Sequence, residues 1–195
     1  MCGITGVIDF NKQSSKEILE SMTNSLDHRG PDGSGVDLHS ENEFQVGFGH
    51  RRLSIIDLTE NGKQPMQFNQ FSITFNGEIY NYLELRAELS SSWEFQTKSD
   101  TETILASYEK YGLGCLNHLR GMFAFALWDE RKKRFFCARD RFGIKPFYYT
   151  VVGDIFYYAS EIKALLPFVE DVATDLDSLN DYLTFQFTLG EKTLF

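Results

Sequence analysis

Cys2 follows directly on Met1, so removal of Met1 would leave a residue with a thiol and a free α-amine on adjacent carbons. An α-amine titrates near 7.7–8.0, roughly two units below lysine, and so can act as a base near neutrality. A thiol is intrinsically a strong nucleophile, and the two groups together form a self-contained nucleophile and base. If Met1 stays attached, that nitrogen belongs to a peptide bond and the unprocessed form is expected to be inactive. Three other segments carry polar groups in positions where a simple core strand or turn has little use for them. Arg51-Arg52 separates a strand ending near Gly49 from the apolar Leu53-Ser54-Ile55-Ile56. Asn76-Gly77-Glu78 follows the alternating run Phe71 to Phe75. Asn-Gly is a common turn pair, but an asparagine amide beside a glycine N–H also supplies two donors for an oxyanion. Asp100 falls beside the candidate helix cap Ser99, where a favourable charge–dipole placement would explain it equally well.

The surrounding elements follow from periodicity. Ile4 to Phe10 alternates as a strand, and so do Phe44-Val46-Phe48 and Phe71-Ile73-Phe75. Ser14-x-x-Glu17 and Ser99-x-x-Glu102 have the form of capping boxes. The first precedes Ile18, Leu19, Met22 and Leu26, with the helix stopped at His28 to Gly35. The second leads into Ile104, Leu105, Tyr108 and Tyr111, with Gly112 as the stop. A short helix follows Asn81 with Leu85 and Leu89 inward. Phe123–Trp128 pairs with Phe135–Arg139, and Phe147–Val152 with Ile155–Ala159, as hairpins. Helices over 160–166 and 176–183 complete the pattern. Antiparallel hairpins with helices packed on them predict a layered α+β domain. The apolar run from Thr184 to Phe195 has no polar stop and looks like a chain cut inside a structural unit.

Composition limits the setting. The 195 residues, 42% hydrophobic and 15% aromatic, suit a substantial core. A formal net charge of -9 disfavours nucleic acid and anionic membranes as partners. No apolar run reaches the ~20 residues of a membrane helix, and the start lacks the pattern of a secretory signal. Three cysteines and four scattered histidines lack metal-site spacing. The chain is expected to be cytoplasmic, reduced and metal-free.

An ordered series of motifs then narrows the function. Met1-Cys2-Gly3-Ile4-x-Gly6, Arg29-Gly30-Pro31-Asp32-Gly33, Arg52-Leu53-Ser54-Ile55, Asn76-Gly77-Glu78-Ile79-Tyr80-Asn81 and Ser99-Asp100-Thr101-Glu102 occur in that order. Gly121 to Ala126, Arg139 to Pro146 and Ala159 to Leu165 follow. Over essentially its whole length the chain resembles the N-terminal glutaminase domain of glutamine-hydrolysing asparagine synthetases, a class II glutamine amidotransferase. That resemblance implies a four-layer αββα fold of the N-terminal nucleophile hydrolase type. It implies Cys2 as nucleophile toward the side-chain amide of L-glutamine, with Asn76 and Gly77 as oxyanion donors. Arg52 would grip the substrate α-carboxylate, and Asp100 and Glu78 its α-ammonium. Main-chain groups of Leu53 and Ile55 would line the same pocket. No cofactor is implied for residues 1–195 themselves; ATP and magnesium would serve only a C-terminal synthetase domain, the partner that uses the ammonia to make asparagine. A homo-oligomer is compatible with the sequence but not required by it. Arg29 to Gly35 and Arg139 to Pro146 are expected to shape loops or contact another domain, and Cys115, Cys137, His28 and His50 to lie outside the chemistry. Two alternatives stay open: an asparagine-synthetase-like amidotransferase with a sugar or other metabolite as acceptor, and a non-catalytic interaction module of the same fold.

Overall fold

A computed structural model describes residues 1–170, 172–190 and 192–194. It divides into two compact units, Met1–Leu165 and Leu166–Phe195.

In the first unit, nine strands form two antiparallel sheets. One contains β1 (Gly3–Asp9), β2 (Gly33–Ser40), β3 (Gln45–Arg52), β8 (Tyr148–Val152) and β9 (Ile155–Ala159), in the order β2-β3-β1-β9-β8. The other contains β4 (Met66–Phe68), β5 (Phe71–Ile79), β6 (Gly121–Asp129) and β7 (Arg134–Arg139), in the order β4-β5-β6-β7. Helix α1 (Lys16–Asn24) packs on β1, β2 and β3, while α2 (Tyr82–Leu89) and α3 (Asp100–Tyr111) cover the second sheet. The result is an αββα sandwich, as the resemblance implies.

Strand alternation builds these layers. On β6, Ala124, Ala126 and Trp128 face the first sheet and meet Ile4, Val46, Phe48 and Tyr158. Phe123, Phe125 and Leu127 face the helices and pack with Ile104, Leu105 and Tyr108. On β5, Phe71, Ile73 and Phe75 join that helix-side core. The alternate residues Ser72, Thr74 and Asn76 therefore point between the sheets, where the Thr74 hydroxyl lies 3.2 Å from that of Tyr158.

Several local expectations are corrected. The α1 cap is Ser15, whose Oγ accepts from Ile18 N–H; Ser14 instead donates its hydroxyl and N–H to Asp9. The helix ends at Asn24, and a separate 3-10 turn spans Asp27–Arg29. Ser99 caps α3, but Glu102 does not reach back to close the box. Its carboxylate accepts from Trp93 Nε1 and from the N–H groups of Gln96 and Thr97. The helix expected over 160–166 is replaced by 3-10 turns at Ile162–Ala164 and Leu166–Phe168, with Pro167 inside the second. Asn76-Gly77-Glu78 is not a turn but the continuation of β5. Phe10 lies beyond the end of β1 and is exposed.

In the second unit, a 3-10 turn at Leu166–Phe168 precedes α4 (Leu176–Phe185), capped by Asp175, whose carboxylate accepts from Ser178 N–H at 2.6 Å. Phe195, the end of the apolar terminal run, lies outside the described residues. Among the described residues, no helix is long and apolar enough to cross a membrane.

Candidate active site

The start of β1, the end of β3, the end of β5 and the first turn of α3 meet at one end of the sandwich. The pairing of Gly3 with Arg51 puts Cys2 beside Arg52 and Leu53. The continuation of β5 past Phe75 brings in Asn76, Gly77 and Glu78, paired to Ala124, Phe123 and Met122 of β6. These elements enclose a cleft of about 340 Å3. All eight residues expected from the sequence, namely Cys2, Arg52, Leu53, Ile55, Asn76, Gly77, Glu78 and Asp100, line it.

The Cys2 sulfur is 3.4 Å from Leu53 N and 3.5 Å from Leu53 O. Burial pushes its thiol pKa up; the Leu53 N–H, the positive chain terminus, Arg52 and Lys145 act in the opposite direction. Its carbonyl accepts from Arg29 Nε at 2.9 Å, and Arg29 Nη1 pairs with Glu161 at 2.9 Å. Glu161 is buried to a degree that would raise its pKa, but Arg29 and His28 hold it down at about 2.

Arg52 is buried, its Nη1 donating to Thr59 O at 3.0 Å and its Nη2 to Asp57 O. Its fork is thus oriented by main-chain carbonyls, with no carboxylate paired to it among the described residues. Gly62 permits this, because a Cβ there would stand 2.5 Å from Nη2. The glycine-rich loop supports the same segment: Asp32 N donates to Arg52 O at 2.9 Å, and Ser54 N to the Asp32 carboxylate at 2.8 Å.

Asn76 is 1% exposed, and its Nδ2 is buried without a partner among the described residues. A buried donor left unpaired is rare and costs roughly 1–3 kcal/mol. Gly77 must be glycine, since a Cβ would collide with the main chain of Met122 and Phe123. Asp100, 4% exposed, accepts the N–H of Ile79 at 2.9 Å. Burial raises its pKa to about 6, with Glu78 adding to the rise and main-chain donors opposing it.

Spacing did not reveal that Arg29, Lys145 and His50 stand close to Cys2. Arg29 touches the Cys2 main chain rather than merely shaping a loop. Lys145, assigned to a loop or domain contact, lines the cleft. His50 lines it too, buried and held neutral: burial pushes its pKa down to about 3, despite a 3.2 Å contact with Phe75 O. The only sequence signal for Arg29 and Lys145 was a cation inside a Gly-Pro-rich motif, and spacing alone did not show where either pointed. Cys115 is buried and Cys137 half-buried, and neither lines the cleft.

Two antiparallel sheets between helices, with a thiol at the head of a central strand, define an N-terminal nucleophile hydrolase fold. A Bacillus subtilis glutamine phosphoribosylpyrophosphate amidotransferase, solved with ADP and GMP, superposes on 84% of the chain and 43% of its own length. The TM-score is 0.71 at 24% identity, a likeness of fold. The glutamine amidotransferase domain family matches residues 1–195, and the chain belongs to that family. It is 46% identical over 203 aligned positions to asparagine synthetase (glutamine-hydrolyzing) 1 of Bacillus subtilis (strain 168), covering 100% of this chain and 31% of that protein. It is 39% identical to a putative asparagine synthetase (glutamine-hydrolyzing) 2 of Methanocaldococcus jannaschii, covering 97% of this chain and 39% of that protein. It is also 42% identical to amidase chry2 of Gibberella zeae, covering 93% of this chain and 29% of that protein. The chain thus spans about a third of the length of these relatives.

Proposed function

We propose that this chain is the glutaminase part of a glutamine-hydrolysing asparagine synthetase. One observation carries the reading: a single cleft holds a thiol, a buried amide donor unpaired among the described residues, an oriented guanidinium and the carboxylates of Glu78 and Asp100. Free glutamine presents one anion, one cation and one amide carbonyl, and each finds its complement there. Arg52 takes the α-carboxylate, Asp100 and Glu78 take the α-ammonium, and main-chain groups of Leu53 and Ile55 line the pocket.

With Met1 removed, the Cys2 amine accepts the thiol proton as Sγ attacks the side-chain carbonyl carbon. The negative charge that develops on the carbonyl oxygen is met by Asn76 Nδ2 and Gly77 N–H. Collapse of the tetrahedral intermediate breaks the C–N bond, and the amine returns the proton so that ammonia leaves. Water then attacks the thioester, releasing glutamate and restoring the thiol. Peptide-embedded glutamine lacks both charged ends and would leave Arg52 and Asp100 unpaired, so the site should reject it.

The ammonia is used, on this reading, by a C-terminal synthetase part that makes asparagine from aspartate. Support comes from relatives about three times as long whose names carry that activity. ATP and magnesium belong to that part. A different acceptor is the second reading, supported by the 42% identity to a protein named an amidase. A reducing, cytoplasmic setting fits three free cysteines.

The test is glutamate and ammonia release by the chain with Met1 removed, with intact mass before and after a glutamine-analogue electrophile. A single adduct on Cys2, and loss of both adduct and turnover in Cys2→Ala, are expected. A free Cys2 that refuses the analogue and hydrolyses no glutamine would favour a non-catalytic module.

A further inference from the structure

Lys145 takes no part in the reaction proposed above, yet it is built into the same cleft as Cys2. It is 5% exposed, and lysine is almost never buried without a charged partner. Among the described residues, no carboxylate lies within ion-pair distance of its Nζ; the contact it makes is to Met1 Sδ, at 3.2 Å. A thioether is a weak acceptor. The lysine is therefore not held there by its charge.

Its loop holds it. Lys145 N donates to Asp140 Oδ2 at 2.9 Å, and Lys145 O accepts from Arg139 Nε at 2.6 Å. Asp140 is fixed in turn by the N–H groups of Phe123, Phe142 and Ile144, at 3.2, 3.1 and 3.0 Å. The first of these ties the loop to β6, the strand that pairs with Asn76 and Gly77. Lys145 is thus referenced to the same strand as the oxyanion donors.

The charges around Cys2 make its placement consequential. Arg52 comes from β3, Glu78 from β5, Asp100 from α3, Asp57 from the loop after β3 and Lys145 from the loop after β7. His50 is neutral, and Arg29, on the Cys2 carbonyl, is already paired with Glu161. Asp57 is occupied by the N–H groups of Thr59 and Lys98. Bound glutamine would pair Arg52 with its carboxylate, and Asp100 and Glu78 with its ammonium. Lys145 then remains a cation with no ion-pair partner among the described residues, in the same cleft as the nucleophile. Cleavage of the Met1–Cys2 bond takes away the thioether and leaves a new α-amine at that end of the chain.

We infer that Lys145 is a positioning residue for the N-terminal nucleophile, a fixed cation that favours the proton-poor forms of the Cys2 thiol and of its liberated amine. Its value for turnover rests on the glutaminase reading, whereas its effect on the thiol does not. A neutral amine is the form that can accept the thiol proton, and a thiolate is the form that attacks. A cation fixed in the cleft serves both needs without touching the substrate.

The test is the rate of Cys2 alkylation by iodoacetamide, followed by intact mass on the full chain with Met1 removed and without glutamine. Cys2→Ala measures the background from Cys115 and Cys137. In Lys145→Met the midpoint of the pH–rate curve should rise by about one unit, slowing alkylation near pH 7 by about tenfold. Lys145→Arg should return it close to the wild-type midpoint, which loss of packing alone would not do. A wild-type midpoint in Lys145→Met, or an arginine variant shifted as far as the methionine one, overturns the inference. If circular dichroism shows Lys145→Met unfolded, Lys145→Gln is judged by the same criterion. A shifted midpoint in a protein that never hydrolyses glutamine would sink the glutaminase reading and leave the lysine's role standing. Normal hydrolysis with an unshifted midpoint would do the reverse.

Discussion

The Asp100 carboxylate accepts the main-chain N–H of Ile79 at 2.9 Å, joining the first turn of α3 to the end of β5. This bond aligns the helix layer with the strand that carries Asn76 and Gly77, and it does so with a group that burial keeps protonated up to about pH 6.

That shift has a sign. Between the usual carboxylate value of 3.8 and about 6, the folded empty protein holds a proton on Asp100 that the unfolded chain releases. Its favourable contribution to stability is complete below the unfolded value and is lost as pH rises through about 6. In the proposed glutamine complex a bound α-ammonium would reverse the preference by pairing with the ionised carboxylate. Glutamine binding near pH 6 is therefore expected to release a proton, and KM to rise as pH falls below that point. Calorimetry in two buffers of different ionisation enthalpy measures the release, and Asp100→Asn should abolish it. Equal heats in the two buffers for the native protein would contradict the role.

Arg52 gives a second prediction, through Gly62. Thr59 O and Asp57 O orient the guanidinium, and Gly62 leaves room for Nη2. Lysine cannot reproduce a planar fork held on one side and offered on the other. Arg52→Lys should raise KM for glutamine by about tenfold or more with a smaller change in kcat. Gly62→Ala, which leaves the Arg52 side chain itself unchanged, should act in the same direction by displacing Nη2. Unchanged steady-state constants in both variants would remove Arg52 from the binding role.

Asp140 predicts acid lability. Burial alone would raise its pKa, but N–H donors from Lys145, Ile144, Phe123 and Phe142 outweigh it and the net shift is downward. The stabilisation is present above the unfolded value of 3.8 and is lost as pH falls through the lowered folded value. Oδ1 and Oδ2 each accept two main-chain donors. In Asp140→Asn, either orientation of the amide turns an NH2 toward two of them. The expected loss is about 2–4 kcal/mol near neutral pH, shrinking as pH falls below the unfolded value of 3.8. Urea titrations across that range check it.

What could be read in the residues, and what could not, follows from how each element is specified. β5 and β6 were legible because Phe71, Ile73 and Phe75, and likewise Phe123, Phe125 and Leu127, fill one core on alternate positions. β2 was missed because its eight residues, Gly33 to Ser40, bury none of their side chains fully and so show no apolar alternation. Asn76-Gly77 has the composition of a turn, and only pairing with Ala124 and Phe123 overrides it. Ser14 and Ser15 compete for one cap, and Asp9 decides between them by taking the Ser14 hydroxyl. The placements of Arg29 and Lys145 depend on residues far away in sequence, Glu161 for one and Asp140 with Phe123 for the other.

Asn76 offers the sharpest separation of function from stability. Its Nδ2 is buried and unpaired among the described residues, so the folded protein gains nothing from that donor in the empty state. Most buried hydrogen-bonding groups stabilise a fold, and truncating them lowers Tm. In the proposed reaction the donor would find its partner only when negative charge develops on the substrate oxygen. Asn76→Ala should therefore lower kcat by about 10²–10³ while leaving KM within a few-fold. Tm should be unchanged or slightly raised, because an unsatisfied polar group has been removed. A purely structural asparagine would show the opposite pattern, with lost stability and near-normal turnover in whatever fraction stays folded. Thermal denaturation and steady-state kinetics on the same preparation distinguish the two.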